Sequence, residues 1–106
     1  MNGDELAGVA DLFGALTRGE LRDALGELAF RRGDDFDEAD ADSDVEDAVR
    51  DYYLVAVERA DGEVLAPGPA AFPDLPDGAT DLPHILDVER RDVDRDALAD
   101  AVRERL

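Results

Sequence analysis

Residues 53–65 read Tyr53-Leu54-Val55-Ala56-Val57-Glu58-Arg59-Ala60-Asp61-Gly62-Glu63-Val64-Leu65, and this stretch decides the fold class. Its first five residues are rich in aromatic and β-branched side chains, which suit a pleated strand. Asp61-Gly62 is a strong two-residue turn signal, and Val64-Leu65 resumes the apolar character, so the segment predicts a β-hairpin. The chain before it carries helical periodicity instead.

Leu6, Val9, Ala10, Phe13 and Leu16 recur at three- and four-residue steps and predict a first helix over residues 4–16. Thr17-Arg18-Gly19-Glu20 is a capping box, in which the hydroxyl and the carboxylate satisfy backbone donors at a helix start. A second helix follows, with Leu21, Ala24, Leu25 and Leu28 on one face. Arg31 and Arg32 suit its negative C-terminal end, and Gly33 closes it. Residues 34–44 hold almost nothing apolar besides Phe36 and read as an acidic loop. Ser43-Asp44-Val45-Glu46 has capping-box form and predicts a third helix burying Val45, Ala48, Val49 and Tyr52.

Beyond the hairpin, Pro67, Pro69, Pro73, Pro76 and Pro83, with Gly68 and Gly78, predict an extended, surface-hugging segment over residues 67–83. Ile85, Leu86 and Val88 suit a short strand, although so brief a run does not separate strand from helix. Asp94 or Asp96 caps a last helix bearing Leu98, Ala101, Val102 and Leu106. The expected fold is α+β: one small domain over residues 1–106, with three N-terminal helices, a hairpin, a proline-rich extended segment and a C-terminal helix.

Composition speaks about solvent. The 106 residues carry a net charge of −18, every basic residue is arginine, and aspartate outnumbers glutamate 20 to 9. So dense a carboxylate surface repels itself in dilute buffer, whereas at molar salt the Debye length falls to roughly 3 Å. A hyperthermophile would be enriched in lysine and glutamate. The negative field is concentrated in residues 34–51, where ten acids face one arginine. With no cysteine, disulfides and thiolate chemistry are excluded, and cytoplasmic residence is compatible. No leader pattern and no run of about 20 apolar residues occurs.

Catalytic residue types are scarce. Ser43 is the one serine, and it reads as a helix cap. His84 is the sole histidine; Asp81 or Asp87 would serve as its acid partner, but in so acidic a chain that pairing is uninformative. Asp40-Ala41-Asp42-Ser43-Asp44 mimics the opening of a calcium loop, yet Val45 stands where the sharp turn needs glycine and Asp51 where a bidentate glutamate belongs. Nucleotide loops of the GxxxxGK type require the missing lysine. No catalytic residue, specific metal site or cofactor is therefore expected.

Arg18, Arg22, Arg31 and Arg32 are candidates for a partner-binding patch. The competing reading pairs them with Glu20, Asp23, Glu27, Asp34 and Asp35, and abundant acids favour it. Phe72, between Ala71 and Pro73, is a candidate apolar anchor on a partly pre-extended stretch. The favoured alternative has it packing on the protein's own small core.

The order of three helices and a tight hairpin resembles winged-helix domains over roughly residues 4–66. That resemblance implies that the second and third helices form a helix-turn-helix and the hairpin a wing. The segments LAGVADLFGALTRGELRDALGELAFRRG and LPHILDVERRDVDRDALADAVRERL resemble small acidic proteins of halophilic archaea with no assigned activity. DNA reading is disfavoured, because Asp44, Glu46, Asp47 and Asp51 surround the single Arg50 of the third helix. The expectation is a non-enzymatic, cytoplasmic domain that works by binding another protein or a second copy of itself. A DNA-binding regulator is the alternative.

Overall fold

The computed structural model describes residues 2–59, 62–76, 78–86 and 88–105. Helix α1 spans Gly3–Phe13, and Asn2 and Glu5 close a capping box at its start. Leu16 is buried but lies beyond the helix, which ends at Gly14. Helix α2 spans Arg18–Arg32. Thr17 and Glu20 cap it as the sequence implies, and Gly33 ends it in the left-handed conformation at φ 74°. Its four expected core residues, Leu21, Ala24, Leu25 and Leu28, are all buried.

Helix α3 spans Glu38–Arg50, so most of the expected acidic loop is helical. Asp37 is the cap, accepting from the backbone N–H groups of Ala39 and Asp40. Ser43 is an exposed residue inside the helix and caps nothing. The physical reason lies at the helix start, where Asp37, Glu38 and Asp40 are stabilised by the positive end of the backbone dipole. Charge density that reads as disorder thus reads equally well as a first helical turn. The connection between α2 and α3 shrinks to residues 33–37.

Strands β1, Leu54–Arg59, and β2, Gly62–Pro67, pair antiparallel with Val55 opposite Ala66 and Val57 opposite Val64. Asp61 of the expected turn lies outside the described residues, and Gly62 begins β2 with φ 128°. Leu16 exchanges both backbone hydrogen bonds with Leu65, at 3.0 and 2.7 Å, extending the sheet by one bridge. Side chains alternate across the hairpin. Leu54 and Leu65 join the core made with α1, α2 and α3, while Val55, Val57, Val64 and Ala66 face the other way.

That second face is covered by helix α5, Arg95–Arg105, through Ala97, Leu98, Ala101 and Val102. Burial on both faces explains why the strand sequence is continuously apolar. Leu106 lies outside the described residues. The C-terminal helix therefore packs on its own domain, and the hairpin is the middle layer between α1–α3 and α5.

The proline-rich segment is irregular over residues 68–76 but not as far as residue 83. A 3-10 turn at Ala79–Asp81 leads into a short helix α4, Leu82–Leu86, with Pro83 in its first turn, where a missing N–H breaks no hydrogen bond. Ile85 and Leu86 are helical, not strand. Leu82 and Ala79 are fully buried against the main core. Among the described residues no polar or charged side chain is buried, so the charge lies at the surface.

Candidate interaction surface

The arginines of α2 meet partners remote in sequence. Arg22 grips Asp42 of α3 through two parallel bonds, Nε to Oδ1 at 2.8 Å and Nη2 to Oδ2 at 3.0 Å. Arg18 donates from Nε to Glu46 of α3 at 2.7 Å and from Nη1 to Glu63 of β2. Arg31 reaches Asp81 and the carbonyl of Gly78, each at 3.2 Å, and so ties α2 to the turn before α4. Arg32 lines a cleft between α2 and α3. The four do not form one patch: Arg18 and Arg22 face α3, while Arg31 faces the α4 side.

The cleft beside Arg32 has a volume of about 510 Å³. Leu25, Leu28, Ala29, Phe36 and Ala41 line it, with Asp34, Asp35, Asp37, Asp40 and Asp44 among the acids around them. Phe36 lies over Gly26, where an added Cβ would stand 3.3 Å from the ring. Asp40 and Asp44 share one face of α3 and border the cleft, whereas Asp42 points away to Arg22, so the three carboxylates do not converge. Among the described residues no cluster of acids and histidine is arranged to hold a metal ion. His84 is exposed on α4, and Asp87 lies outside the described residues.

Phe72 does not enter the core. It is 82% exposed, although its backbone is firmly held: its N–H donates to Asp4 Oδ1 at 2.9 Å, and the Asp74 N–H donates to the Asp4 carbonyl at 3.0 Å. The chain here lies so close to α1 that a Cβ on Gly8 would overlap the Asp74 backbone. Asp4 sits in the first turn of α1, so one side chain and one carbonyl of that helix fix the direction of the segment.

Phe30 is a second exposed aromatic, at 79%, and was not among the sequence candidates. Its signal was available: five residues past Leu25 and two past Leu28, it falls on the side of α2 opposite the apolar stripe.

A separate junction fastens the C-terminal connector. Arg91 pairs with Glu20, Nη1 to Oε1 at 2.6 Å and Nη2 to Oε2 at 3.0 Å, and also donates to the Ala15 carbonyl at 3.2 Å. The two side chains are only 22% and 24% exposed. Arg91's hydrogen bonds are the main reason the Glu20 carboxyl titrates below its usual value; the Thr17 backbone N–H adds to this and burial opposes it. Arg90 donates to the carbonyls of Asp11 and Leu12, each at 3.2 Å, and so brings a positive charge to the C-terminal end of α1.

A hairpin held between a three-helix layer and a C-terminal helix, with charge confined to the outside, defines a small α+β domain. The chain belongs to a family of unknown function, DUF7109, whose model matches residues 4–106. No curated protein and no solved structure matches it. Among the described residues no helix is long and apolar enough to cross a membrane.

Proposed function

We propose that this chain is a non-enzymatic, cytoplasmic protein-binding domain built for concentrated electrolyte, and that Phe72 is its principal docking point. The observation that carries the reading is a phenylalanine 82% exposed on a backbone pinned to α1. A small domain gains from burying each aromatic, and this chain has only four phenylalanines, two of them more than three-quarters exposed. Fixing the backbone beneath such a side chain lowers the entropy lost on docking.

The electrolyte reading is supported by the sequence and by the surface placement of the charges. At molar salt, apolar contacts persist while long-range repulsion is screened.

The expected result is that Phe72→Ala keeps its stability within about 0.5 kcal/mol, as an exposed side chain should. The same variant loses retention of its protein partner by about tenfold or more, the effect of removing an anchor worth about 1.4 kcal/mol. Tagged protein recovered from its native lysate in molar KCl checks the second point, and urea titration the first. Equal partner retention by Phe72→Ala and the parent chain would remove Phe72 from the reading.

The DNA-binding alternative draws support from the short α2–α3 connection, residues 33–37, which approaches the turn length of a helix-turn-helix. Against it stand the six acids and one arginine of α3, the element that would meet the phosphates. A mobility shift with fragmented genomic DNA in molar KCl is expected to be blank, and a retarded band would favour this alternative.

A further inference from the structure

We infer that α3 is an electrolyte-gated latch, closed on α2 in concentrated salt and opening by itself, ahead of the rest of the domain, when salt is withdrawn. This stands on the geometry of α3 and is independent of the protein-binding reading.

The helix carries Glu38, Asp40, Asp42, Asp44, Glu46 and Asp47 against Arg50. Glu38 with Asp42, Asp40 with Asp44, and Asp42 with Glu46 are like charges one turn apart, a spacing that destabilises a helix. Asp47 and the cap residue Asp51 add negative charge at the negative end of the backbone dipole, where Arg50 pairs with both. The face that holds the helix down is made of small residues. Ala41, Val45 and Ala48 are buried and Val49 partly so, against four large or medium side chains on α1 alone: Leu6, Val9, Leu12 and Phe13.

Two clamps hold α3 to its neighbours, Arg22 on Asp42 and Arg18 on Glu46. Salt affects clamps and repulsion unequally. The clamped atoms are 2.7 to 3.0 Å apart, within even a molar-salt Debye length of roughly 3 Å, whereas the repelling carboxylates stand about 6 Å apart along the helix. Added electrolyte therefore removes more repulsion than attraction. Both ends of the helix can act as pivots: Gly33 is left-handed before it, and Tyr52 takes the uncommon positive φ of 65° after it. Opening would uncover the apolar floor at Leu25 and Leu28 and release Arg18 and Arg22 from their α3 partners.

Amide hydrogen exchange of the full chain, in molar KCl and in dilute buffer, tests this. In dilute buffer the amides of residues 42–50 should exchange about tenfold or more faster, while those of residues 22–32 change by less than about twofold, the signature of local and not global opening. Molar sucrose, which favours compact states without screening charge, should slow exchange in α2 and α3 alike and not in α3 selectively. Asp47→Asn, which removes a charge from the negative end of the helix and leaves Arg50 paired with Asp51, should restore part of α3's protection in dilute buffer, since asparagine matches aspartate in helix propensity without the charge. Arg22→Gln should accelerate α3 in molar KCl and leave α1 unchanged.

Any of three results overturns the inference: α2 and α3 accelerating together, α3 protection independent of salt, or the neutralised variant exchanging as fast as the parent in dilute buffer.

Discussion

Gly14→Ala is expected to cost about 3 kcal/mol or more, a large part of the 5–15 kcal/mol that holds a typical domain together. Gly14 ends α1 at φ 82°, ψ −51°, a conformation that side chains with a Cβ adopt only under strain. A Cβ there would also overlap the carbonyl oxygen of Arg91, where the connector to α5 crosses the end of α1. The connector is fastened at that point by the Arg91 N–H donating to the Phe13 carbonyl at 2.8 Å, so relieving the overlap breaks this hydrogen bond.

Gly19 is the internal control. It lies in the first turn of α2, where an added Cβ would meet nothing within 4 Å, and Gly19→Ala should stabilise by about 0.5 kcal/mol through helix propensity. Urea midpoints in molar KCl separate the two. A Gly14→Ala variant within about 0.5 kcal/mol of the parent chain would show that the connector does not press on α1 as described.

The second large effect belongs to Glu20, which caps α2 and holds Arg91. Glu20→Ala removes both roles and should cost about 2 kcal/mol, the range for losing charge-assisted hydrogen bonds and a cap at a partly buried pair. Glu20→Gln keeps one oxygen to accept from the Thr17 N–H and Arg91 Nη1 but loses the charge and the second acceptor of Arg91, so it should cost less than Glu20→Ala. The pair also has a pH signature. The folded carboxyl titrates below its ordinary value of 4.5, so its stabilisation is fully present above that value and is lost as pH falls through the lower folded value. Because many other carboxylates titrate in the same range, the quantity to follow is the difference between the parent chain and Glu20→Gln. That difference should be constant above about pH 5 and shrink on acidification. A difference that grows toward acid would contradict the assignment.

These residues also show where the sequence was legible. Thr17 and Glu20 lie within one turn, Gly33 directly ends α2, and the strand pattern needs only neighbours in the chain, so each could be read locally. What could not be read were interactions between distant segments. The α2 arginines were expected to pair with Glu20, Asp23, Glu27, Asp34 and Asp35, yet the structure gives Arg22 to Asp42, Arg18 to Glu46 and Glu63, and Arg31 to Asp81. In a chain with 29 acids, local spacing offers every arginine a partner and so identifies none.

The start of α3 was missed because Ser43-x-x-Glu46 has the same form as the true box at Thr17. The Asn2-x-x-Glu5 box, which does cap α1, shares that form too. Pro83 shows the limit of reading proline as a breaker, since its ring is accommodated in the first turn of α4. Phe72 was expected inside because aromatics usually are. Its exposure follows from Asp4 and Gly8, which fix the path of the backbone from another element.

Arg90 reaches back 79 residues to the last carbonyls of α1. On a ribosome adding about 5–20 residues per second, that guanidinium is made several seconds after the helix it completes. During this interval the Gly14 N–H, which donates to the Asp11 carbonyl, and water are what the end of α1 has, and the groove where the connector will lie stands open. The helical layer thus waits for the connector before the end of α1 is fastened, and until then that end is open to proteases and wrong partners.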